Sequence, residues 1–166
     1  MEKQKTKVED IDRERFDFRD EDKSRYKTDK GLTAEIVTEI SKQKNEPSWM
    51  LEHRLRSLDI YNQTPLPAWG PPLDELNMEE IVTYVKPDTG LKSDWNQVPE
   101  YIKTTFERLG IPQAERDSLA GVGAQYDSEV VYHNIRNELL QQGVIYTDME
   151  TAVREHEDMV HELFMK

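Results

Sequence analysis

Cysteine is absent from this 166-residue chain. That absence excludes disulfides, thiolate nucleophiles and any Cys-ligated zinc or iron–sulfur site built from these residues alone. Long apolar runs are missing as well: no stretch approaches the roughly 20 residues needed to span a bilayer, and Met1 to Lys7 has no apolar signal-peptide core. Basic residues are in deficit, 22 against 34 acidic ones. Residues 1–30 hold ten of each sign, so the whole net charge of −12 falls on residues 31–166. So acidic a portion repels phosphate backbones, and the attraction that dominates nucleic-acid affinity is lost. The composition predicts a soluble cytoplasmic protein with no membrane and no nucleic acid among its partners.

What is present is a charged, modestly apolar chain: 36% hydrophobic, 34% charged, with a mean hydropathy of −0.87. Its length suits one domain with appendages. In residues 1–30 the apolar anchors are Val8, Ile11, Phe16, Phe18 and Tyr26, too few to offset the entropy of ordering. This arm is expected to be disordered or loosely docked, a solvated tail more than a partner-binding arm using Phe16 and Phe18.

From Gly31 the pattern changes, and residues 31–62 read as a helical hairpin. Thr33 is placed to cap the first helix, with Leu32 stapled onto Val37 and a stripe of Leu32, Ile36, Val37 and Ile40. Asn45 is placed to cap the second, with Pro47 in its first turn and Leu51, Leu55 and Leu58 on one face. Trp49 is expected to be a core anchor. Residues 63–97 form a connector. Thr64 to Leu73 holds four prolines without Pro-x-x-Pro spacing, which fits a stiff linker that tucks Trp69 against a helix. Ile81, Thr83 and Val85 suggest an extended piece before the Pro87 to Gly90 turn.

Residues 98–166 carry the sharper signals. Val98-Pro99 opens a helix with Ile102, Phe106 and Leu109 on one face, and Gly110 provides its left-handed end. Pro112 starts a short helix to Leu119. Gly121-Val-Gly-Ala-Gln-Tyr126 imitates a dinucleotide fingerprint, but Tyr126 stands at the third glycine position and no strand precedes it, so a flexible turn is expected. Ala124 to Tyr126 reads as a strand. A helix capped by Asp127 or Ser128 follows, with Val131, Ile135 and Leu139 on one face, and Val144 to Tyr146 reads as a parallel second strand. Thr147 and Glu150 make a capping box for a helix reaching Phe164. Within it Glu157 and His161 lie one turn apart and could share an ion, whereas His156 and His161 diverge. No third ligand is evident beside Glu162, and His53 and His133 are lone histidines. No catalytic, cofactor-binding or metal residue is assigned, and the expectation is α+β, mainly α-helical: a helical hairpin plus a small β-α-β unit with two short strands.

The word Lys44-Asn-Glu-Pro-Ser-Trp-Met50, followed by Leu51 and Arg54-Leu55, resembles the signature of the SufB/SufD family of iron–sulfur cluster assembly scaffolds. Phe106 to Pro112, Ala124 to Ser128 and Gln142 to Ile145 support the SufB branch. The resemblance covers about residues 31–166. It implies an N-terminal region only, ending at Lys166 where the family's large β-helix core should begin, so that core is absent and no position here inherits its sulfur-transfer residues. It implies a non-enzyme, with no cofactor in this chain and a transient iron–sulfur cluster on the full-length scaffold. The implied partners are the SufC ATPase, SufD, and cysteine desulfurase or other sulfur-transfer proteins. Some relatives carry a Cys-rich motif where this chain has Tyr84 to Leu91 without a thiol. The alternatives are a free-standing acidic helical adaptor and a metal-dependent enzyme using His156 to Glu162.

Overall fold

A computed structural model describes residues 18–67, 69–73, 75–110 and 121–166. The expectations for Val8, Ile11, Phe16 and the short helix after Pro112 lie outside the described residues. Among the described residues are six α-helices and two two-stranded sheets, an α+β and mainly helical fold.

Helix α1 (Ala34–Lys44) opens on Thr33, whose Oγ1 accepts from the Ile36 N–H at 3.3 Å. Helix α2 (Ser48–Gln63) packs against it as a hairpin. The sequence pattern places Asn45 at the start of α2, but Asn45 closes α1 instead. Its backbone is left-handed (φ 51°, ψ 46°). Asn45 N–H donates to the Lys42 carbonyl at 3.2 Å and Glu46 N–H to the Ser41 carbonyl at 3.1 Å, satisfying carbonyls that the helix leaves open. Asparagine tolerates this conformation better than other side-chain-bearing residues. Pro47 then precedes α2 in extended conformation without a side-chain cap. The buried positions of α2 are Met50 and Leu58; Leu51 and Leu55 are only half-buried.

Part of the charged arm is structured. Strand β1 (Ser24–Lys27) pairs antiparallel with β2 (Val85–Pro87), and Gly31 N–H donates to the Ile81 carbonyl at 2.8 Å. Asp20 accepts from the Thr105 hydroxyl at 2.5 Å and the Tyr126 hydroxyl at 3.2 Å. Burial and the Asp20 carboxylate together push the Tyr126 phenol up to about 12. Phe18 lies under the Arg108 guanidinium, 4.6 Å from ring centroid to Cζ. In the connector, Trp69 is 90% exposed, so it does not tuck against a helix; the backbone there makes no regular element to hold it.

The β-α-β expectation is overturned. Strands β3 (Gly121–Tyr126) and β4 (Glu129–Ile135) form an antiparallel hairpin. Its two-residue turn is Asp127-Ser128, with Asp127 at φ 53°. Positive φ at the first turn residue matches the right-handed twist of paired strands, and Asp adopts it readily. Val131 and Ile135 happen to fall at helical spacing, but Val130, Val131, Tyr132 and Ile135 are β-branched or aromatic and favour a strand. Gly121 and Gly123 lie inside β3, not in a flexible turn. A Cβ on Gly121 would meet the Tyr146 ring at 2.5 Å, so glycine is required for close approach. Residues 144–146 form a loop, and helix α4 (Asn137–Gln141) is short.

Helix α3 (Glu100–Arg108) follows Pro99 and ends at Gly110, φ 78°. It packs Ile102 onto Val131 and Tyr132 with Val98, flanked by Trp95 and Phe106. The register shifts between Ala124 and Gln125, leaving Val131 as the extra residue of a bulge in β4, and Val131 and Tyr132 are consecutive yet both buried. Trp95 sets its edge on Phe106 and Tyr132 at centroid distances of 5.7 and 5.1 Å. Leu109 departs from the expected face, at 44% exposure. Accordingly, Ile102→Ala should cost about 3 kcal/mol and Leu109→Ala under about 0.5 kcal/mol in urea denaturation, whereas a face shared by both residues would give two large losses.

Candidate partner-binding groove

The C-terminal helices lie over the α1–α2 hairpin. Helix α5 (Met149–Glu155) is capped by Asp148, one residue later than the expected Thr147 cap: Asp148 Oδ1 accepts from the Thr151 N–H at 2.9 Å and Oδ2 from the Thr151 hydroxyl at 2.7 Å. The stretch to Phe164 is not one helix. It breaks at His156 (φ −129°, ψ 39°), and α6 (Glu157–Leu163) begins there. Burial pushes the Asp148 carboxyl up, but the Thr151 bonds outweigh it and hold the group below its ordinary value, with Arg154 assisting.

Between hairpin and C-terminal helices runs a groove of about 630 Å³, with Val37, Met50, Leu58 and Val153 as its floor and Tyr61 and Phe164 along its sides. One side carries the Arg54–Glu46 pair, a fork of 2.8 Å from Nε and 2.5 Å from Nη2. Glu46 raises the Arg54 guanidinium further above its ordinary value. Met149, 56% exposed, forms part of the opposite wall.

Beside this groove Lys44 holds the pieces together. Its side chain is 8% exposed, and its ammonium is paired with Glu129 of β4 at 3.1 Å and with Glu150 of α5. Tyr84 donates its hydroxyl to the same Glu129 oxygen, and its ring lies 5.1 Å below the ammonium. Burial, then Glu129, drives the Tyr84 phenol far above its ordinary value. Arg154 donates to the Lys44 carbonyl at 3.2 Å. A buried ammonium is tolerable only with carboxylates and hydrogen bonds around it.

The candidates read from sequence are placed differently. Glu157 and His161 are engaged by Trp49: Nε1–H donates to Glu157 at 3.0 Å, and the indole packs on His161 at 4.8 Å and on Phe164 at 5.8 Å. Trp49 is thus a half-buried clamp between α2 and α6, not a core anchor. His53 packs edge-on against Phe164 at 5.0 Å, and His133 packs on Tyr146 at 4.6 Å. Among the described residues no group of three or more His, Asp or Glu is placed to hold a metal ion, and no helix is long and apolar enough to cross a membrane. Sequence reasoning missed Lys44, Glu129 and Glu150, whose pairings span 85 and 106 residues.

An apolar groove between helices has the form in which another polypeptide's helix docks. No family model and no solved structure matches the chain. Curated relatives do. An iron–sulfur cluster assembly SufBD family protein of Staphylococcus haemolyticus is 49% identical over 158 residues, 95% of this chain and 34% of the relative. The iron–sulfur cluster assembly protein SufB of Bacillus subtilis is 48% identical over 160 residues, 96% of this chain and 34% of the relative. A SufBD family protein of Staphylococcus aureus is 48% identical over 158 residues. Over nearly its whole length, this chain is similar to SufBD-family proteins. It spans about a third of the length of the curated relatives it matches.

Two outcomes follow. Lys44→Met should lose about 3 kcal/mol by stranding Glu129 and Glu150, and adding Glu129→Gln with Glu150→Gln should recover part of it in the same denaturation assay. Asp148→Ala should cost about 1 kcal/mol at neutral pH. Because the folded carboxyl titrates below its unfolded value of about 3.9, its contribution is complete above that value and lost as pH falls through the folded one. The wild-type and Asp148→Ala denaturation midpoints should therefore converge in acid.

Proposed function

We propose that this chain acts as a contact region of a cytoplasmic SufB-type scaffold for iron–sulfur cluster assembly. The 48–49% identity to SufBD-family proteins over at least 95% of the chain carries this reading. In it the chain is non-catalytic by itself and precedes the family's β-helix. The cluster is cargo of the whole scaffold, and no residue of this chain is assigned as its ligand. The partners are the SufC ATPase, SufD and sulfur-transfer proteins. The geometry supports a contact role: the long-range ion pairs are spent joining α1, β4 and α5, and what remains open is an apolar groove.

The test is a chimera. The matched third of Bacillus subtilis SufB is replaced by this chain, and the protein is co-expressed with that organism's SufC and SufD. Co-purification of all three, with cluster formation restored in a SufB-depleted strain, is the expected result. A folded chimera that fails to associate with either protein and restores nothing would refute the proposal.

A further inference from the structure

We infer that the groove between the α1–α2 hairpin and α5–α6 receives a basic amphipathic helix of another protein. The groove's shape suits the inserted side chains of such a helix at i, i+3/i+4 and i+7. Its volume of about 630 Å³ is lined mainly by aliphatic, thioether and aromatic groups. Met50 and Met149 contribute unbranched side chains that adapt to differing ligands.

Charge selects the occupant. The hairpin helices are balanced, but Met149–Glu155 and Glu157–Leu163 together carry five carboxylates and a single cation, Arg154; with Glu150 paired to Lys44 and Glu157 bonded by Trp49, Glu155, Asp158 and Glu162 are left exposed to solvent. In α6, Glu157, Asp158 and Glu162 are all exposed and no Lys or Arg is present. The cations nearest the groove are committed internally: Arg54 to Glu46, and Lys44 to Glu129 and Glu150. An acidic helix would meet repulsion from α6 and no open cation at Arg54. A basic one gains attraction that acts over about 8–10 Å at physiological ionic strength. A second copy of this chain, carrying the same net charge of −12, is disfavoured on the same ground. The inference goes beyond cluster assembly and is tested on this chain alone, so its failure leaves the chimera result untouched and the reverse.

Two synthetic helical peptides of about five turns, one Leu/Lys and one Leu/Glu with the same apolar stripe, are titrated into the protein by calorimetry, with backbone amide shifts recorded in parallel. The expected result is binding of the Leu/Lys peptide alone, weakened by salt, with shifts confined to α1, α2, α5 and α6. Met149→Lys, at an exposed wall position that leaves the fold intact, should weaken it at least tenfold. Asp158→Asn with Glu162→Gln should weaken it several-fold and flatten the salt dependence. Equal binding of the Leu/Glu peptide, no binding of either, an unchanged affinity in Met149→Lys, or concentration-dependent self-association through these helices would each overturn the inference.

Discussion

The arrangement of this protein depends on one buried cation. Lys44 ends α1, and its ammonium is shared by a carboxylate from the β-hairpin and one from α5. Those three elements are far apart in the chain, and the apolar core around Ile102 lies elsewhere, between α3 and β4. A charge so enclosed is costly unless paired, so the pairing fixes where α5 can lie more tightly than its single fully buried apolar residue, Val153, could do. Tyr84 adds its hydroxyl to Glu129, which ties the segment leading into β2 to the same point.

The groove is a consequence of that placement. With α5 held against the end of α1, and α6 turned at His156 so that Trp49 bonds Glu157 and packs on Phe164, the hairpin is bridged at one end and along one flank. The space between stays apolar because the charges at its edge, Arg54 and Glu46, satisfy each other. Stability and an open concavity thus come from the same few polar contacts.

Local chemistry made much of this legible. The Thr33 cap, the hairpin of two helices, and the Pro99 start and Gly110 end of α3 depend on neighbours in sequence, and each stands in the structure; the resemblance first read around Trp49 agrees with the names of the similar proteins. The errors have physical causes. Residues 129–135 satisfy both a helical and a strand pattern, and only pairing with β3 decides between them. Asn45 can cap either end of a helix, and here its left-handed backbone lets its own N–H and that of Glu46 bond back to the last carbonyls of α1. The Lys44 network was illegible because nothing local links position 44 to 129 or 150. Ser24–Lys27, read as part of a loose arm, gains order from β2, some 60 residues away.

The central claim is that Lys44 unites α1, β4 and α5 into one cooperative unit. Native-state amide hydrogen exchange on the wild type and on Lys44→Met tests it directly. The account predicts that protection falls together in Ala34–Lys44, Glu129–Ile135 and Met149–Glu155, while Glu100–Arg108 is least affected. Loss of protection confined to the last turn of α1, with β4 and α5 unchanged, would contradict it.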